Sequence, residues 1–236
     1  MGVRLFPKNN PMKLPEALRI IDISPSLSPK TAVFPGDVPL SRAVSLDFAS
    51  GHNLRLSSLT TTLHIGAHTD APSHYHPDGR DISQQSLAVY LGPAQVMTVR
   101  VVPGARISPS DLPSAITAPR LLLRTGTFPD PNTWNGDFAA LSPELVEFLS
   151  NQGVILVGID TPSIDPANDE LLESHQAVYR HGLAILEGIV LDGAPDGLYT
   201  LIALPLALEG ADASPVRAVL LPADFPQISG RLIANL

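Results

Sequence analysis

The sequence predicts a single α/β domain with a β-rich, barrel-like core and a few outer helices. Apolar runs rich in β-branched residues recur between turn signals, whereas clear helix patterns are few. The 24 prolines are scattered along 236 residues, which indicates many ordered turns and no low-complexity linker. A chain of this length is long enough to bury a substantial core within one domain.

Most of the predicted strands are apolar on both faces, as strands buried between two layers are. The exception is the segment 54–66, which partly alternates between apolar and polar residues and predicts a strand with one solvated face. The predicted strands cover residues 18–24, 54–66, 94–102, 120–126, 153–160, 183–191, 198–206 and 216–222.

Two helices are predicted from their end signals. The first has Ser142 as its N-cap, Pro143 at its first position and Gly153 as its stop. The second runs over residues 168–182 and ends at Gly182. A shorter helical turn is predicted within residues 108–116.

Composition excludes several classes of function. The net charge of −8 and the lack of a basic run argue against nucleic-acid binding. Without cysteine, the strong metal ligands left are His, Asp and Glu. No segment predicts a signal peptide or a membrane span. We therefore expect a cytoplasmic protein with a flexible extension over residues 1–11 and a single domain over 12–236.

The main functional signal is a histidine cluster within residues 63–79. If the chain is extended here, the even-numbered His64, His68 and Asp70 point to one side as three metal ligands. His74 lies beyond Pro72, where the chain turns, and this position suits a proton carrier beside a metal. A polar loop with surface histidines is the alternative. Four of the seven histidines of the chain lie within this cluster, namely His64, His68, His74 and His76.

Two further ligands are predicted from distant segments. Glu187 is the only charged residue in an apolar strand that has no Lys or Arg. A buried carboxylate of this kind either titrates to its neutral form or meets a cation, and a metal ion is the simplest such cation. His175 could reach the same point if its helix packs over that strand; a helix-surface position is an equal alternative. Five such ligands exceed the needs of one zinc and suit two metals bridged by Asp70 and Glu187. Asp160 and Asp165 receive no role, because turn geometry explains them equally well.

The pattern H-x-G-x-H-x-D-A-P-x-H, from His64 to His74, resembles the signature of the cyclase-type metal-dependent hydrolases. Within that family, residues 19–222 are similar to the bacterial kynurenine formamidases (arylformamidases) in the order and spacing of several segments. The matching segments include "DISPSLSPKTAVFPGD", "GVILVGIDTPSIDP", "HGLAILEGIVLDGAPDGLYTLIALPL" and "GADASPVRAVL".

This resemblance implies a cyclase-type swivelling β/β/α fold, a homodimer and two Zn²⁺ per subunit. It assigns the first zinc to His64, His68 and Asp70, and the proton transfer to His74. The second zinc would be held by Asp70, His175 and Glu187, with Glu187 touching both ions. Phe34, where the formamidases commonly carry tryptophan, would line the substrate pocket.

The implied reaction is hydrolysis of the linear amide N-formyl-L-kynurenine to L-kynurenine and formate, a step of tryptophan breakdown. One alternative within the fold is hydrolysis of a cyclic amide such as isatin, for which similar proteins use Mn²⁺. Another is a non-catalytic metal-binding or metal-storage protein, which would bind metal without releasing formate and would leave His74 without a purpose.

Overall fold

The computed structural model describes residues 20–223. It has an α/β architecture built on a seven-stranded sheet that curls into a half-barrel, which confirms the predicted fold class. The predicted extension over residues 1–11 lies outside the described residues. The strands are β1 (Ile21–Asp22), β2 (Ser41–Leu46), β3 (Leu56–Thr60), β4 (His68–Asp70), β5 (Leu91–Thr98), β6 (Arg106–Ile107), β7 (Arg120–Arg124), β8 (Ala140–Leu141), β9 (Leu156–Ile159), β10 (Ala184–Leu186), β11 (Gly197–Ile202), β12 (Ala213–Pro215) and β13 (Val219–Pro222).

The large sheet is mixed, with the strand order β1-β13-β11-β5-β7-β9-β10. Strands β5, β7, β9 and β10 run parallel, and β11 and β13 extend the sheet by antiparallel pairing. Leu121 and Leu123 of β7 face one core, whereas Leu122 faces the other. Because both faces of this strand are buried, its run of leucines replaces the alternation of a half-exposed strand.

The two α-helices of the described chain, α1 (Pro143–Asn151) and α2 (Glu173–His181), pack on one face of the sheet. Ser142 caps α1 by accepting a hydrogen bond from the backbone N–H of Leu145, as the sequence predicts. Helix α2 begins five residues later than predicted. The Asp169 carboxylate accepts hydrogen bonds from the Leu171 and Leu172 N–H groups and holds that segment as a loop. Neither helix is long enough to cross a membrane, and residues 20–223 contain no other candidate.

Strand β3 differs from its prediction. It is shorter than the segment 54–66, pairs with β2, and is exposed along its whole length. Leu56 and Leu59 are 54% and 65% exposed, so no face of this strand packs against the core in the described chain. The predicted half-buried strand is therefore wrong, because residues 41–60 form a hairpin that stands away from the large sheet.

A short backbone bridge brings β4 to the end of β10. The N–H of His68 donates to the carbonyl of Glu187 at 3.1 Å, and the N–H of Glu187 donates to the carbonyl of His68 at 2.9 Å. Gly66 and Gly188 lie where the two segments approach each other, and both have positive φ, at 56° and 62°. A Cβ atom on Gly188 would lie 2.1 Å from the Gly66 carbonyl oxygen, so this contact requires glycine.

We expect Gly188→Ala to destabilise the fold more than Gly153→Ala does. Both positions have positive φ, which costs a non-glycine residue about 1–2 kcal/mol. An added Cβ overlaps neighbouring atoms only at position 188, because nothing lies within 4 Å of it at position 153. This overlap should cost Gly188→Ala a further ~1–3 kcal/mol of stability. Urea unfolding of the two variants measures the difference, and equal losses would contradict the role of the close approach.

Candidate metal centre

His64 reaches the site from a loop and not from an extended strand. Strand β3 ends at Thr60 and β4 begins at His68, with Gly66 turning the chain between them. The prediction of one continuous extended face from His64 to Asp70 is therefore wrong. The loop nevertheless places His64 Nδ1 3.0 Å from Asp70 Oδ1.

The Asp70 carboxylate lies at the middle of the site and faces imidazoles from two distant parts of the chain. His68 Nε2 lies 3.6 Å from Asp70 Oδ1, and His175 Nε2 lies 3.4 Å from Asp70 Oδ2. His175 is in the first turn of α2 and is almost fully buried, so the alternative of a helix-surface histidine is wrong.

Glu187 follows β10 directly and is only 2% exposed. Its Oε2 lies 3.1 Å from His68 Nε2, its Oε1 lies 3.7 Å from His175 Nε2, and the N–H of Ile164 donates to Oε1. Among the described residues, no Lys or Arg forms an ion pair with this carboxylate. The structure thus brings together all five side chains that the sequence analysis names as ligands.

In each imidazole of this set, the ring nitrogen that points away from the centre of the site contacts an oxygen atom of the protein. His68 Nδ1 contacts the Gly66 carbonyl at 2.8 Å, and His175 Nδ1 contacts Asp165 Oδ2 at 2.8 Å. His64 Nε2 contacts Asp212 Oδ2 at 3.1 Å. Metal-binding histidines commonly show this arrangement, because the outer hydrogen bond sets the tautomer and the orientation of the ring.

The buried polar atoms at the centre of the site fit a divalent cation. In the part of the chain that the structure describes, His68 Nε2 and both Asp70 oxygens have polar neighbours at 3.0–3.4 Å but none in hydrogen-bond geometry. Buried polar atoms without a partner are costly, and a cation bound to them removes that cost. Three groups of donor atoms, each within 4.8 Å, could hold a metal. Two of them share the buried Asp70 carboxylate, His64–His68–Asp70 and Asp70–His175–Glu187, and the third is the more exposed His64–His74–Asp212.

The charges of the site change the pKa values of its members. Burial lowers the pKa of His64, but the nearby Asp70 and Asp212 carboxylates outweigh it and raise that pKa to about 9. Burial likewise opposes protonation of His175, whereas Asp165 and Asp70 raise its pKa to about 10. Burial alone would raise the pKa of Asp70, but His175 and His64 hold it well below its usual range.

His74 stands at the edge of the cluster, in a 3₁₀ turn over Pro72–His74. Its Nε2 lies 3.9 Å from Asp70 Oδ2, and its Nδ1 lies 3.4 Å from Asp212 Oδ2. His76 instead stacks on Tyr179, with ring centroids 3.7 Å apart, and is not among the side chains that face Asp70. Asp212 also belongs to the site but carries no signal in the sequence, because only the pairing of β12 with β4 brings residues 210–215 here.

A cavity of about 420 Å³ opens above the cluster. Phe34 lines it, and its ring meets that of Trp134 edge to face at a centroid distance of 4.7 Å. Phe128 adds a third aromatic ring to the lining. Trp134 is the only tryptophan of the chain and was missed, since its loop carries no local signal of a site.

The Cyclase family model matches residues 21–166, which span most of the described chain and include β4 and the histidine cluster. The chain belongs to the cyclase family. The expected membership of this family is thereby confirmed, whereas nothing in the match singles out the formamidases within it.

Solved structures of cyclase-type proteins share the fold. A "potential metal-dependent hydrolase with cyclase activity" superposes with a TM-score of 0.74 at 23% identity, covering 87% of this chain and 98% of that one. A "predicted metal-dependent hydrolase" from Bacillus stearothermophilus gives 0.73 at 23% identity, with the coverages 87% and 98%. Isatin hydrolase A from Labrenzia aggregata, bound to benzyl benzoate, gives 0.70 at 20% identity, with coverages of 88% and 94%.

We expect zinc to stabilise the metal-free protein against heat. Free zinc at ~100-fold above its dissociation constant adds about 2.7 kcal/mol, or roughly 5–10 °C in Tm for a domain of this size. Asp70→Asn should remove the shift, because the two donor groups built from the five predicted ligands both use this buried carboxylate. Asp192→Asn removes an exposed charge outside the candidate metal-binding groups and should retain the zinc-induced rise in Tm. Differential scanning calorimetry measures both, and an equal zinc shift in Asp70→Asn would contradict the site.

Proposed function

We propose that the protein is a metal-dependent amide hydrolase that converts N-formyl-L-kynurenine to L-kynurenine and formate. The observation that carries this proposal is the meeting of five ligand-type side chains with His74 below an aromatic cavity. The extended resemblance of residues 19–222 to the bacterial formamidases supports the choice of substrate.

In this proposal His64, His68 and Asp70 hold one Zn²⁺, and Asp70, His175 and Glu187 hold the second. Mn²⁺ accepts the same nitrogen and oxygen ligands, so ligand type alone does not distinguish the two metals. When bound, such ions supply a water nucleophile at neutral pH and a Lewis acid for the substrate carbonyl. Asp70 belongs to both groups of donors and would therefore bridge the ions.

His74 supplies the proton transfer. Its Nε2 faces the Asp70 end of the cluster, whereas the ring is about one-third exposed toward the cavity. There it takes a proton from the attacking water as the new C–O bond forms at the formyl carbon. It returns that proton to the anilide nitrogen as the C–N bond breaks, so kynurenine leaves as the neutral amine.

The cavity suits an aryl amide. Its volume of about 420 Å³ is in the range of small-molecule sites, and Phe34, Phe128 and Trp134 offer ring faces and edges to an aromatic substrate. The formyl group would point to the metal cluster, and the aromatic ring would lie against the Phe34–Trp134 pair.

A second candidate is hydrolysis of a cyclic amide of the isatin type. The described lining of the cavity contains no Lys or Arg, so a substrate carboxylate finds no fixed protein cation there. Isatin is neutral and needs none. The turnover of N-formyl-L-kynurenine relative to isatin by zinc- or manganese-loaded protein distinguishes the two functions, and metal binding without either turnover would indicate a storage role.

We expect His74→Ala to lower kcat for formyl-kynurenine by ~10²–10⁴ while the metal content stays near that of the wild type. His76→Ala is the matched control, because this neighbouring histidine stacks on Tyr179 away from the cluster and should retain activity. Kynurenine absorbance and elemental analysis provide the two readouts. Loss of metal from His74→Ala would contradict the division between ligands and proton carrier.

We also propose that the chain forms a homodimer through the β2–β3 hairpin. An isolated two-stranded hairpin is only marginally stable in water, and this one is exposed along nearly all of both strands. Val44, Leu56 and Leu59 add apolar surface that a second copy would cover.

We expect Leu59→Glu to convert the dimer to a monomer, because it places a charge in the covered surface. Val102→Glu is the control, since Val102 is 71% exposed at a different part of the chain and lies outside the hairpin. Light scattering after size exclusion should give twice the chain mass of 25.0 kDa for the wild type and for the control. A monomeric wild type would exclude the dimer.

A further inference from the structure

A single carboxylate oxygen faces two histidines that have different tasks. Asp212 Oδ2 lies 3.1 Å from His64 Nε2 and 3.4 Å from His74 Nδ1, and the two rings are 4.2 Å apart. The far nitrogens of both rings point back toward Asp70. One side chain therefore contacts both a candidate ligand and the candidate proton carrier from the outer side.

A carboxylate oxygen only accepts hydrogen bonds, so a neutral imidazole that faces it must carry its proton on the facing nitrogen. His64 faces a carboxylate oxygen on each side, Asp70 at Nδ1 and Asp212 at Nε2. When a metal ion shared with Asp70 takes the Nδ1 lone pair, the hydrogen of the neutral ring would lie on Nε2, toward Asp212. For His74, whose Nδ1 lies at the longer ion-pair distance of 3.4 Å from the same oxygen, the carboxylate favours the hydrogen on Nδ1 and the Nε2 lone pair toward the cluster. Each ring then has the tautomer that its proposed task needs.

The backbone places Asp212 firmly beside the site. The N–H of Ala71 donates to the Asp212 carbonyl at 2.8 Å, and β12 pairs with β4 so that Ala213 lies opposite Asp70. Asp212 is 47% exposed in its side chain, and no Lys or Arg of the described chain forms an ion pair with it. The two histidines are its charged-group contacts.

We infer that Asp212 is a positioning residue that sets the tautomers of His64 and His74 together. Its effect on His74 rests on the proposed hydrolase function, whereas its effect on His64 concerns metal binding alone. The experiment therefore has three readouts, for metal affinity, for the histidine tautomers and for proton transfer, and the metal readout remains informative if no formanilide is hydrolysed.

The first readout is zinc affinity, measured by chelator competition on the metal-free protein. Loss of an outer carboxylate partner typically weakens metal binding by about 10–100-fold. We expect this loss in Asp212→Ala for the ion that His64 binds, while the other ion keeps its affinity. Asp165→Ala should show the reverse, because Asp165 contacts His175. Glu209→Gln removes a nearby exposed charge as the control and should change neither affinity.

The second readout is the tautomer itself, observed by ¹⁵N NMR of histidine-labelled, zinc-loaded protein. The wild type should show His64 protonated at Nε2 and His74 at Nδ1, and Asp212→Ala should lose the Nδ1–H form of His74. If the alanine variant does not fold, Asp212→Asn provides the same comparison, because its amide weakens the shared acceptor without removing volume. His74 protonated at Nε2 in the wild type would overturn the inference.

The third readout separates positioning of the proton carrier from a general loss of structure. With an anilide, the departing nitrogen needs a proton, so Asp212→Ala should lower kcat by about 10-fold or more with little change in KM. With an activated nitrophenyl ester, whose leaving group needs no proton, kcat should fall much less. Equal losses on both substrates, together with unchanged zinc affinity, would contradict the positioning role.

Discussion

The site depends on the backbone bridge between His68 and Glu187. Two hydrogen bonds of 2.9 and 3.1 Å connect a three-residue strand to the end of β10, and they set the distance between the early and late ligands. Glycines with positive φ at 66 and 188 permit this contact. Because side chains near a paired backbone position are fixed relative to each other, the His68 imidazole lies 3.1 Å from the Glu187 carboxylate and 3.6 Å from that of Asp70, although Glu187 is more than a hundred residues away in the chain.

This proximity also places two buried negative charges close together, and in the metal-free protein protonated histidines balance them. Asp70 and Glu187 are buried, and no Lys or Arg of the described chain pairs with them. The pKa values of His64 and His175 are therefore raised, to about 9 and about 10, because protonated imidazoles are the countercharge at hand. A divalent cation supplies the same countercharge without protons, which is the physical link between the ligand set and metal binding.

The sequence predicted those strands and helices that are determined by residues close together in the chain. The apolar run of β7 and the Ser142 cap of α1 were found because burial and capping each leave a pattern within a few residues. The sequence also named the five ligand-type residues, partly through their chemistry and partly through family resemblance. The exposure of the β2–β3 hairpin was not predicted, because it depends on which other elements cover the strands. The late start of α2 was not predicted either, because it depends on a hydrogen bond to the Asp169 side chain.

Asp212 illustrates why part of the site lies beyond sequence reasoning. It stands 148 residues from His64, in a loop with no periodicity, and only the register of β12 against β4 puts its carboxylate beside the two histidines. That register also positions Asp70, because Ala213 is its cross-strand partner. A shift of this short pairing would displace the Asp70 and Asp212 carboxylates together. The geometry of the candidate ligands and the carboxylate contact to His74 are thus coupled through three residue pairs of a small sheet.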